Sequence, residues 1–179
     1  TQNYQINLNG NKWINENLKF KSTIYGRETK SDYDKNASTE ENVTSDNKMY
    51  AIQAGFEKLN SNSFDNFIVH YHGYDREYDE QGTVNKYYSE SITAKSERDI
   101  TYNENLSFGY GAEYKYDWGD YKTLTFTSQT KGHLKNLGVF ANAGFKFNND
   151  QSISLHLRND DHKETGGNQT YKINYSQVT

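Results

Sequence analysis

The 179-residue sequence contains no cysteine and no proline. Without cysteine there can be no disulfide framework, no thiolate nucleophile and no Cys-based zinc site. Without proline there is no Pro/Gly linker to divide the chain into domains. No stretch approaches the ~18–20 consecutive apolar residues of a membrane helix. The first residues also lack the basic, apolar and small-residue regions of a signal peptide, as expected of either a mature protein or an internal piece. A strong excess of either charge is missing too. Twenty Lys and Arg stand against 24 Asp and Glu, a net of −4, so neither nucleic acid nor an anionic membrane surface is an obvious electrostatic partner. Apolar residues make up only 32%, where a globular domain has nearly half.

Disorder would explain such a composition, but disordered chains are poor in aromatics, and this chain has 16 Tyr, 9 Phe and 2 Trp. The alternative is a structure whose apolar side chains line only one face of each strand while the other face is wet. A membrane β-barrel has this economy, because lipid supplies the apolar surroundings.

The order of the residues supports that alternative. Leu106, Phe108, Tyr110, Ala112, Tyr114 and Tyr116 interleave with Ser107, Gly109, Gly111, Glu113, Lys115 and Asp117. In a strand this separates an aromatic wall from small and charged groups; a helix would scatter both sets. The longest clean stripe is Leu137, Val139, Ala141, Ala143, Phe145 and Phe147. Shorter alternations begin at Tyr4, Leu18, Tyr50, Phe67, Ile153 and Tyr171, with Ile68 breaking the pattern, and Lys86–Lys95 shows the faintest one. Short polar turns are expected at Asn15–Asn17, Asn60–Ser63, Asn103–Asn105 and Asn148–Asp150. Longer charged loops are expected at Lys35–Asp46, Asp79–Thr83, Gly119–Lys135 and Lys163–Asn168. Short turns on one side and long loops on the other are the habit of outer-membrane barrels, and a soluble sandwich has no reason to sort loops by end. The expected fold is all-β, with nine antiparallel up-and-down transmembrane strands, or ten if Tyr121–Gln129 spans rather than forming an extracellular hairpin arm. An odd number cannot close with every neighbour antiparallel, so the chain is expected to be part of a larger barrel.

The segment Asn136–His162 resembles a stretch of TonB-dependent receptor barrels. Gly138-Val139-Phe140-Ala141 matches the opening of a family strand, Asn149-Asp150 with Ile153-Ser154-Leu155 matches the turn that follows, and Arg158-Asn159-Asp160-Asp161-His162 matches the close of the next strand. Leu106–Tyr116 resembles the strand before, and Gly166–Tyr171 the opening of the strand after. Asn47–Asp79 is similar in layout, with Tyr74–Asp79 at a strand top. The resemblance covers most of the chain and is most specific in its last third. It implies the cobalamin and siderophore receptor group, a place in the bacterial outer membrane, and import of a metal chelate or corrinoid. The partners it implies are outer-membrane lipid and a TonB-type energy-coupling protein acting through a plug domain. Residues 1–179 show no plug domain and no energy-coupling box, and fewer strands than the ~22 of such barrels, so gated transport is expected to belong to a parent receptor.

Candidate sites fare poorly against simpler explanations. His70 and His72 share a strand face but have no third ligand nearby in sequence, and lumen-facing polarity explains them. Asp160-Asp161-His162 and the set Asp75, Asp79 and Glu80 could offer oxygens to calcium, but no run has EF-hand spacing and solvated charge explains them. Ser, His and Asp occur without a nucleophile elbow, so no enzyme is expected. Gly166-Gly167 reads as a turn device. Sequons such as Asn36-Ala37-Ser38 follow from an Asn- and Ser-rich composition. Tyr114, Tyr116 and Trp118 read as an interfacial aromatic girdle, with ligand stacking at the barrel mouth as the alternative. No catalytic, cofactor or metal residue is assigned, and no cofactor is expected. A small passive outer-membrane pore and a soluble β-rich binding module remain as alternative functions.

Overall fold

The computed structural model describes residues 1–36, 39–80, 82–123, 128–148, 150–164 and 166–177, with the side chains of 33–42 also left out. Nine strands form one sheet in sequence order, every neighbouring pair antiparallel. They are β1 (Gln2–Trp13), β2 (Leu18–Asn36), β3 (Thr39–Leu59), β4 (Ser63–Glu80), β5 (Thr83–Thr101), β6 (Leu106–Thr123), β7 (Ser128–Lys146), β8 (Gln151–His162) and β9 (Gly166–Gln177). No pairing joins β1 to β9 among the described residues. Both edges are open, and the two edge strands run in the same direction.

The sheet has almost no core. Among the described residues Val43 alone is a buried hydrophobe. The accessible surface is 12498 Å², against about 8,900 Å² for a compact monomer of this mass. Ile52, Tyr110, Val139, Leu157 and Ile173 are between 48% and 66% exposed. Register shows that these residues share one face. Phe108, Ala143, Leu155 and Ile173 lie in one cross-strand row, and Ala112 pairs Val139 in another. Gly109, Asn142, His156 and Lys172 form a row on the opposite face. Along β3, β7 and β8 this polar face is the less exposed one. In a sheet one layer thick the crowded face is the concave one, so the apolar face is outer and the polar face inner.

The four short turns fall where the sequence places them, and three share one construction. Ile14-Asn15-Glu16-Asn17-Leu18 and Tyr102-Asn103-Glu104-Asn105-Leu106 are nearly the same pentapeptide. In each, the Asn side-chain oxygen accepts two backbone N–H groups, from Asn17 and Leu18 (3.0 and 2.9 Å) and from Asn105 and Leu106 (2.9 and 2.8 Å). Asn148 accepts from Asp150 N–H at 2.9 Å in the same manner. An Asn that substitutes for a backbone acceptor fixes the turn and therefore the register of both flanking strands.

The opposite end departs from expectation. Lys35–Asp46 and Gly119–Lys135 are not long loops: β2 and β3 stay paired to the Asn36–Thr39 bridge, and β6 and β7 to the Thr123–Ser128 pair. Of the possible tenth strand Tyr121–Gln129, Tyr121–Thr123 ends β6 and Ser128–Gln129 starts β7, while Leu124 and Phe126 lie outside the described residues. Charge made these segments read as loops. A ladder standing in water needs only backbone pairs, and Lys86–Glu77 (2.5 Å) and Lys30–Glu28 (3.2 Å) ion pairs decorate it. Strands of 12 residues (β1, β8, β9) rise about 40 Å, enough to cross a bilayer when tilted, whereas the 18–21 residues of β2–β7 rise about 60–70 Å and must project beyond it.

Candidate functional site

The upper inner face of β4–β7 carries a concentration of tyrosines. Strand periodicity puts Tyr74, Arg76 and Tyr78 on one face of β4, and register brings Tyr87 of β5 and Tyr121 of β6 alongside Arg76. The Tyr87 and Tyr121 rings stack at 4.7 Å, tilted by 30°. Tyr121 and Thr123 hydroxyls each donate to Asn85 Oδ1 (3.2 and 2.9 Å), and Tyr74 donates to Asn47 Oδ1 at 2.9 Å. These bonds hold the phenols in place, and a fixed ring is a low-entropy binding surface. Burial first, and then the neighbouring Tyr121, raise the Tyr87 pKa, so it stays a neutral donor.

Arg76 stands in the middle of this patch. Its guanidinium lies 5.5 Å from the Tyr78 ring centre, and its buried Nε donates to no acceptor among the described residues. A buried donor left unpaired costs about 1–3 kcal/mol, so the site is poised for an acceptor from outside. The surrounding cavity holds about 670 Å³ and is lined by Tyr74, Arg76, Tyr87, Tyr121, Asp117 and Leu134, among others. That volume suits a drug-sized molecule, and its lining offers flat rings and the Arg76 guanidinium beside the Asp117 and Asp120 carboxylates. Sequence reasoning missed this site. The signal was the alternation Tyr74, Arg76, Tyr78, but the cross-strand tyrosines needed register.

The residues singled out from sequence mostly disperse. His70 and His72 do share the inner face, with ring centres 5.1 Å apart, yet no group of three metal-ligating side chains forms among the described residues. Asp160 and Asp161 point to opposite faces. Asp160 is held by Arg158 (Nε to Oδ2 2.8 Å) and Asn136 (2.9 Å), and Arg158 also reaches Glu113 at 2.9 Å. Its partners are thus a cation and an amide, not a metal's empty coordination shell. Asp75 and Asp79 face outward while Glu80 faces inward, and Asp79 Oδ1 accepts the Gly82 N–H at 2.9 Å as a turn cap. Gly166 has φ 88°, a turn conformation that favours glycine. The Asn36-Ala37-Ser38 sequon falls largely outside the described residues.

A row of His72, Ser91 and Asp117 does assemble on the inner face. Its order is wrong for nucleophilic catalysis, which needs the imidazole between the hydroxyl and the carboxylate; here serine is in the middle.

Tyr114, Tyr116 and Trp118 alternate onto the outer face, and Trp118 also borders the Arg76 cavity. Trp118 meets Tyr88 edge-on at 5.2 Å. Tyr88 belongs to a second group in which Tyr50, Tyr71 and Tyr88 all donate to Glu90 Oε1, Tyr50 at 3.3 Å. Gly73 makes this possible, because a Cβ there would run into the Tyr50 ring. Together these rings form a belt around the outer face beneath the projecting hairpins.

No protein-family model matches the chain, and no curated protein matches it in sequence. Solved structures do match. The siderophore receptor PirA from Acinetobacter baumannii superposes with a TM-score of 0.76 at 14% identity, over 98% of this chain and 31% of that one. The outer membrane transporter YddB from Escherichia coli gives 0.73 at 11% identity, over 92% and 28%. The RagAB peptide transporter gives 0.71 at 12%, over 96% and 29%. The chain thus spans about a third of the length of the structures it matches, and at these identities the likeness speaks for the fold. With the outer aromatic belt and the polar inner face, it identifies the architecture: the chain has the fold of a section of an outer-membrane receptor barrel.

Proposed function

We infer that this chain is a barrel segment of a TonB-dependent receptor in the bacterial outer membrane, importing a metal chelate such as a siderophore, or a corrinoid. The observation that carries the reading is the inversion of the sheet, apolar outside and polar inside, with no core between layers. Such a sheet is unstable in water, where its outer face is a continuous apolar patch, and stable in lipid. The Arg76–tyrosine cavity supports the ligand class, because its flat rings suit a ring-bearing chelate and the Arg76 guanidinium offers it a donor. Plug and energy coupling are functions of the parent receptor. Within it, this segment supplies part of the wall and part of the extracellular ligand surface.

The test is uptake by cells expressing the whole protein, with a panel of ferric siderophores, cobalamin and short peptides. Energy-dependent import of a chelate or corrinoid that drops at least about tenfold in Arg76→Ala, the loss of one charge-assisted contact, supports the reading. Import of peptides alone would reassign the ligand, and passive, energy-independent permeation would replace the receptor with a pore.

A further inference from the structure

Strand β4 carries the run His70-Tyr71-His72, and its two histidines share the inner face. Their ring centres lie 5.1 Å apart, with the planes tilted by 32°. A wet face accounts for a histidine standing on it, but not for the state of this pair. Nδ1 of His72 is buried and has no hydrogen-bond partner among the described residues. Its cross-strand neighbours, Ala51 of β3 and Ser91 of β5, do not bond it. A ring nitrogen shut away in this manner calls for a partner that the protein does not itself supply.

The charged groups facing the pair are already matched. Asp117, in the His72 row, is held by Lys115, in the His70 row, at 2.8 Å. One row lower, Lys95 binds Glu97 at 2.6 Å and Glu113 takes Arg158 at 2.9 Å. With little net field at the two rings, donor chemistry decides what they hold. Same-face neighbours on a strand stand about 6.7 Å apart, a span that two imidazoles bridge through one ion bonded to each at about 2.0–2.1 Å. Neutral nitrogen donors suit Cu²⁺, Ni²⁺ and Zn²⁺, whereas Ca²⁺ and Mg²⁺ demand oxygens. Access comes from above: Asp117 and Leu134, both in the His72 row, line the Arg76 cavity, so the pair stands at its lower edge.

We propose that His70 and His72 form a two-imidazole binding site for a divalent transition-metal ion, taking Cu²⁺ ahead of Ni²⁺ and Zn²⁺. That order follows the general ranking of these ions at nitrogen donors. Two protein donors leave the remaining positions of the ion to water, or to donor atoms of a molecule in the cavity above. An ion fully wrapped by its chelator has no position to give, so the site takes a free or partly chelated ion. It stands on the inner-face register of β4 and on no reading of the cargo.

The test titrates the whole protein carrying this chain, in detergent, with Cu²⁺ alone and follows the ion by electron paramagnetic resonance. The expected spectrum shows two imidazole nitrogens on one Cu²⁺, competed by Zn²⁺ and not by Ca²⁺. His70→Asn and His72→Asn should each leave one nitrogen and weaken binding at least about tenfold. His156→Asn, which removes an inner-face histidine set between Asn142 and Lys172, should change neither. Copper with ascorbate should oxidise His70 and His72 in the unaltered protein, a readout by mass spectrometry that needs no variant to fold. An unchanged spectrum and affinity in the double variant His70→Asn/His72→Asn overturns the proposal. So does failure of the unaltered protein to bind Cu²⁺, or oxidation confined to other histidines.

Discussion

The two faces of β7 are made by alternate residues of one strand, yet they follow opposite rules. On the outer face Leu137, Val139, Ala141 and Phe145 stay exposed and touch no second layer, so any apolar side chain of moderate size would serve. On the inner face Asn136, Gly138, Phe140 and Asn142 are constrained one by one. Gly138 is small because the Arg158 guanidinium and the Asp160 carboxylate lie across it. Gly111 leaves room for the Phe140 ring, which Lys95 and Arg158 flank at 5.3 and 5.9 Å. Solvent dictates the outer face and neighbours dictate the inner one. The contrast predicts that hydrophobicity matters outside and that specific geometry matters inside.

The strongest test of that division exchanges polarity at matched positions. Val139→Arg should lose about 2–4 kcal/mol of stability in lipid if it lies near the bilayer midplane. Asn142→Arg, three residues on and facing the wet side, should lose far less. Urea unfolding of the whole protein in vesicles reads both, and equal losses would erase the distinction between the faces.

Gly73 sharpens the comparison, because it is an outer position that follows the inner rule. Gly73→Val should displace the Tyr50 ring from Glu90 and cost about 1–3 kcal/mol as overpacking. Gly132→Val has open space around it and should be nearly neutral in the same unfolding assay.

On the inner face, Arg158→Met strands Glu113 and Asp160. Its side chain is 33% exposed, so the loss should fall between the exposed and buried limits, at about 1–2 kcal/mol. Adding Asp160→Asn should recover part of it, and a double-mutant cycle measures the coupling. A cycle giving no coupling would mean the inner network is a solvated surface like any other.

The smallest effect belongs to the turns, which serve both faces equally by setting register. Asn103→Ala removes two backbone acceptances and should cost about 0.5–1.5 kcal/mol. Asn15→Ala should cost a similar amount, since the two pentapeptides are built alike. Unfolding midpoints that differ widely would show that the turns are not interchangeable.

Much of this architecture was legible from the order of residues. Leu106–Tyr116 and Leu137–Phe147 announce strands and their faces, because side chains alternate without regard to what lies beyond the strand. The polar ends fixed by Asn15, Asn103 and Asn148 were legible for a similar reason, since an Asx turn is a local bond. The loops at Lys35–Asp46 and Gly119–Lys135 were misread. Their charges say only that the segment is wet, and a paired hairpin in water is as wet as a loop. The candidate ligand site was illegible in the same way as the Glu90 cluster: both draw residues from three or more strands, which periodicity assigns to a face but not to a height.

Sequence alone determined which residues of each strand share a side, because a period of two is a property of the extended backbone. The tertiary structure decided who meets whom on that side. Cross-strand register brought Arg76 beside Tyr87 and Tyr121, and brought Tyr50 and Tyr71 to Glu90. Register is fixed by hydrogen bonds between residues up to dozens of positions apart. A slip of two residues in any pairing would keep every face as the sequence wrote it while dissolving each of these sites.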